Sequence, residues 1–86
     1  MGMPVARIGD PISHGGAIAG GSPNVFCNSL NVARIGDPVA CEIHGAQSVA
    51  TGSGSVFCNG RGVARQGDAI TCGATITGGS PNVFAG

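Results

Sequence analysis

The chain is constrained above all by a seven-residue segment that it spells three times: Val5-Ala6-Arg7-Ile8-Gly9-Asp10-Pro11, Val32-Ala33-Arg34-Ile35-Gly36-Asp37-Pro38 and Val63-Ala64-Arg65-Gln66-Gly67-Asp68-Ala69. A second segment alternates with it, as Gly21-Ser22-Pro23-Asn24-Val25-Phe26-Cys27-Asn28, Gly52-Ser53-Gly54-Ser55-Val56-Phe57-Cys58-Asn59 and Gly79-Ser80-Pro81-Asn82-Val83-Phe84-Ala85-Gly86. Together they divide the chain into three units, 5–31, 32–62 and 63–86. A unit this short cannot bury an apolar face alone, so the three must pack on one another.

Each unit carries a potential metal ligand four residues after its Asp: His14, Cys41 and Cys72. The spacing is otherwise regular, with 11 residues from Asp10 to Gly21 and from Asp68 to Gly79, but 15 from Asp37 to Gly52. The extra residues fall around Cys41-Glu42-Ile43-His44, so the repeat breaks where a fourth ligand type, His44, enters. Stacking in line would keep the three equivalent positions apart. A metal with ligand bonds of about 2.0–2.3 Å needs them at one point, which predicts closure around a pseudo-threefold axis.

Composition narrows the building blocks. Seventeen Gly and five Pro in 86 residues disfavour helix and leave short strands and tight turns. The Val-Phe segments are β-branched and aromatic and follow a turn, so each reads as a strand. Gly-Asp-Pro is turn chemistry. The fold class that follows is all-β, built from three β-hairpin repeats. Four Arg balance three Asp and one Glu, so nothing steers the chain toward nucleic acid. No stretch has the ~20 apolar residues of a membrane span, nor does the N-terminus have the apolar core of a signal peptide, which predicts a cytosolic protein. In a reducing compartment, clustered Cys and His read as metal ligands rather than disulfides.

His14, Cys41, His44 and Cys72 form a two-Cys, two-His set, the kind that holds structural zinc with no open position. Thiolate and imidazole favour zinc over magnesium or calcium. A catalytic zinc with Glu42 as base, hence a small hydrolase, is the alternative, and a redox module on Cys27 and Cys58 is another. Both cysteines stand where the third unit has Ala85, which fits apolar strand positions better than an essential role. Arg7, Arg34 and Arg65 are expected to pair with Asp10, Asp37 and Asp68 at the corners. Phe26, Phe57 and Phe84 are expected in the core, with an exposed contact ring as the other reading. Residues 1–3 are set apart as a candidate cloning scar, and residues 4–86 as one domain.

These motifs resemble the PAAR-repeat family. The carriers are Pro4-Val5-Ala6-Arg7, Asn31-Val32-Ala33-Arg34 and Gly62-Val63-Ala64-Arg65, with Ser13-His14-Gly15-Gly16, Cys41-Glu42-Ile43-His44-Gly45, Thr71-Cys72-Gly73-Ala74 and the Gly-Ser-x-x-Val-Phe elements. The resemblance implies a small cone on a trimeric VgrG-like spike of a type VI secretion system or a contractile phage tail. One copy would cap each trimer, and effector cargo is a further expected partner. It implies a structural role rather than an enzymatic one, a membrane pierced in passing without stable anchoring, and delivery outside the cell after firing. The family zinc, held in some members by three His and one Cys, would here sit on His14, Cys41, His44 and Cys72.

Overall fold

The computed structural model describes residues 2–86, and among them there are nine short strands and no helix. In chain order these are β1 (Met3–Pro4), β2 (Gly16–Ile18), β3 (Phe26–Cys27), β4 (Leu30–Asn31), β5 (Pro38–Cys41), β6 (Gly45–Ser48), β7 (Phe57–Cys58), β8 (Arg61–Gly62) and β9 (Phe84–Ala85). The Gly and Pro content that argued against helix is spent on turns between them. Of the segment 1–3 set apart above, Met1 lies outside the described residues, while Met3 starts β1.

Three antiparallel pairs share one register. Cys27 faces Leu30 and Phe26 faces Asn31 in β3–β4; Cys58 faces Arg61 and Phe57 faces Gly62 in β7–β8. The third pair is made by the two ends of the chain, with Ala85 facing Met3 and Phe84 facing Pro4 in β9–β1. The first two are closed by two-residue turns with φ above zero at both positions, 53° and 68° at Asn28-Ser29 and 54° and 79° at Asn59-Gly60. Such turns match the right-handed twist of the strands. Gly86 and Gly2 occupy the equivalent places in the third pair, and both are free to take that conformation.

At the centre, Ala6, Ala33 and Ala64 close a ring of backbone hydrogen bonds. Ala6 N donates to Ala64 O (2.9 Å), Ala64 N to Ala33 O (2.9 Å), and Ala33 N to Ala6 O (3.0 Å). All three are fully buried, so a side chain larger than methyl has no room there. Around the ring the units join in cyclic order through the bridges Arg7–Val32, Arg34–Val63 and Arg65–Val5. On one side of the ring lies a layer of branched residues paired across unit boundaries, Ile18 with Val39, Val49 with Ile70 and Ile76 with Ile12. Cys41 and Cys72 pack onto that layer. A second cluster holds Val5, Val32 and Val63 with Cys27, Cys58 and Ala85, and the two clusters meet at the three Val-Ala steps.

The corners are the predicted Arg–Asp pairs. Asp37 accepts from Arg34 N (2.7 Å), Nε (2.9 Å) and Nη2 (2.7 Å), and Asp10 and Asp68 repeat the pattern with Arg7 and Arg65. Each Asp caps its own turn and fixes a guanidinium; the carboxylates are buried, so the charges need each other. Asp37→Ala leaves Arg34 buried without a counter-ion and is expected to cost about 3–5 kcal/mol in denaturant unfolding. A circular permutant joining Gly86 to Gly2 and opened between Asn59 and Gly60 is expected to keep the far-ultraviolet circular dichroism of the parent, because it only exchanges one two-residue turn for another.

Candidate metal centre and the face opposite it

The four predicted ligands converge. One ligand atom from each of His14, Cys41, His44 and Cys72 lies within 4.8 Å of the others. Cys41 Sγ is 3.5 Å from Cys72 Sγ, 3.6 Å from His44 Nδ1 and 3.9 Å from His14 Nδ1, and Cys72 Sγ is 3.7 Å from His14 Nδ1. A tetrahedral centre with bonds of about 2.0–2.3 Å has edges of roughly 3.3–3.8 Å, so the arrangement fits a metal ion. The two imidazoles stand 5.3 Å apart at 45°, not stacked, which leaves each ring edge free to face the same point.

Each donor arrives by its own element. Cys41 ends β5 and pairs with Gly45, so the tight loop between them lifts His44 over the thiol. Gly16 at the start of β2 faces Cys41, which brings His14 from the preceding turn alongside. Gly16 has φ 93°, and a Cβ there would fall 2.0 Å from Ala40 O, so only glycine allows this approach. The turn after Ile70, closed by Gly73 N donating to Ile70 O (2.9 Å), presents Cys72. The extra residues of the second unit thus lengthen one hairpin, β5–β6, and the fourth donor is the product.

Burial pushes the Cys41 thiol up, yet the N–H and ring of His44, the N–H of Ile43 and the Cys72 thiol outweigh it and bring its pKa down to about 6. Cys41 is therefore a thiolate at neutral pH, the form that binds a metal. Glu42 is not one of the four; its carboxylate lies against Gly15.

At the other end of the packed clusters the molecule exposes a thrice-repeated apolar face. Phe26, Phe57 and Phe84 are 57 %, 61 % and 56 % exposed, and Val25, Val56 and Val83 stand beside them, about 40 % exposed. They rim a cavity of about 330 Å³ floored by Val5, Val32 and Val63. The expectation that the three Phe form core is corrected here. In two-residue strands one side chain faces in and the next out, and the inward place goes to Cys27, Cys58 and Ala85. Cys27 and Cys58 are free and buried.

A belt of polar side chains, not foreseen in the sequence, ties this face together. Asn28 Oδ1 accepts from Arg7 Nη1 (3.2 Å), Ser80 Oγ (2.6 Å) and Cys27 Sγ (3.2 Å), and Asn59 Oδ1 accepts from Arg34 Nη1, Ser22 Oγ and Cys58 Sγ in the same way. At the third corner Ser53 Oγ donates to the Gly86 carbonyl. The signal was present in the invariant Ser of each Gly-Ser step and in the Asn after each Val-Phe-Cys.

The profile of the family described as PAAR motif matches residues 8–78. The chain belongs to the PAAR family. No curated protein matches it. PAAR proteins are structural spike-tip proteins of type VI and phage-like machines, and the all-β chain seen here is consistent with that fold. Among the described residues of this PAAR protein, no helix is long and apolar enough to cross a membrane.

In metal-free PAAR protein, iodoacetamide labelling of Cys41, read by peptide mass spectrometry, is expected to stay level from about pH 8 to pH 7 and to fall as pH drops through about 6. A midpoint near the ordinary ~8.5 would show that the surrounding donors do not hold the thiolate.

Proposed function

We propose that this protein caps a trimeric VgrG-like spike, one copy per trimer, and that a structural zinc on His14, Cys41, His44 and Cys72 stiffens a sharp apex that pierces the target membrane. The observation that carries the reading is the apolar face with its contacts repeated in cyclic order. A single chain with three similar edges can match a partner that has true threefold symmetry. Exposed aromatics clustered on one face are what a protein partner covers.

The chain's own residues supply the apex. His14 comes from the first unit, Cys41 and His44 from the second and Cys72 from the third, so ligation would cross-link all three. Zinc, when bound, supplies redox-inert coordinate bonds to thiolate and imidazole. Four donors complete a tetrahedron and leave no position for substrate, which favours the structural role over a hydrolase.

Elemental analysis of the dialysed protein is expected to give one zinc per chain, diminished in Cys72→Ala and retained in Cys27→Ala. Native mass spectrometry with the spike is expected to show three spike chains to one cap. Phe57→Ala should weaken that complex about tenfold or more, as for an aromatic anchor at an interface centre. Metal-free protein purified without chelator would overturn the zinc site, and a cap that never joins a trimer would overturn the docking role.

A further inference from the structure

Resting on the docking reading above, we propose that the cavity in the apolar face is a socket for an apolar plug of three side chains, one from each chain of the spike. The lining argues for this occupant. Among the described residues no charged side chain lines the cavity, and Asn28, the one polar residue of its wall among them, spends its Oδ1 on Arg7, Ser80 and Cys27 and its Nδ2 on Asn82. The larger part of the wall is apolar, and such a surface favours apolar groups over water.

The size agrees. An apolar cavity of about 150 Å³ takes one benzene, so about 330 Å³ takes roughly thirteen carbons, close to three four-carbon side chains. The wall is presented in triplicate, with a Val on the floor, a Val and a Phe at the rim and a small residue between them in each sector. A lone acyl chain would meet that pattern once; three symmetry-related side chains meet it three times. The third sector departs from the others, since Ala85 replaces Cys27 and Cys58 and leaves room for one more heavy atom.

Cys27 and Cys58 make the socket testable, because they line it and are otherwise uninvolved in the candidate metal centre. Zinc-loaded protein would be treated with methyl methanethiosulfonate, alone and in complex with a recombinant VgrG-type trimer from the same source, and the labelling of each Cys followed by peptide mass spectrometry. The expected result is that both thiols are labelled in the free protein and at least tenfold more slowly in the complex. A second arm replaces Ala85 by Leu, filling the vacant sector from inside; the variant should keep its zinc and lose spike affinity about tenfold or more. If the complex forms and both thiols stay as reactive as in the free protein, the plug is overturned while the docking role stands. No complex at all overturns both. An apolar small molecule found in the native mass of the free protein, with thiols already protected, overturns the plug in favour of a bound ligand.

Discussion

Three backbone hydrogen bonds among Ala6, Ala33 and Ala64 are the constraint on which the rest depends. They run head to tail and close on themselves, so each unit donates to one neighbour and accepts from the other. Closure at so small a radius is possible only because each residue carries a methyl group; all three are wholly buried. A strand pair alone is marginal, and here no pair is longer than four residues. The ring lets strands too short to stand by themselves share one core.

From that ring the molecule grows in two directions that obey different rules. Toward the ligands, six buried branched side chains pair across unit boundaries, and the chain there is free to break its own repeat. Toward the opposite face, Val5, Val32 and Val63 leave a cavity rather than a packed centre, and the aromatics turn outward. A small domain that leaves apolar area exposed gives up stability it can hardly spare. The buried Arg–Asp corners and the Ser–Asn belt recover part of it locally, by satisfying every buried polar side chain among the described residues.

Much of this was legible in the sequence, because repeat register is a distance constraint in disguise. Equal offsets put His14, Cys41 and Cys72 at equivalent places, and the irregular spacing pointed to His44; the structure brings all four together. The Arg–Asp pairs followed from their three-residue separation and the turn between them. The facing of the Val-Phe strands did not follow. A period of two gives each strand two faces, and choosing which is buried requires knowing that the hydrogen-bond ring places Cys27 and Cys58 inward. The Asn belt was hidden for a similar reason: Asn28 bonds to Ser80, 52 residues away, and no local pattern announces that partner. Nor did the sequence announce that β1 completes β9, since the two lie at opposite ends of the chain.

The departures from symmetry are themselves instructive. A homotrimer of identical units offers donors in multiples of three, whereas a closed tetrahedral site takes four. Joining three units in one chain lets a single insertion add His44 to one of them and leave the other two unchanged. The insertion is confined to the β5–β6 hairpin, so it does not reach the Ala ring or the strand pairs beyond it. The same chain can therefore be fourfold in its donors at one end and threefold in its contacts at the other. The alanine ring separates the two demands, since its hydrogen bonds are the same in every unit whatever side chains the apex carries.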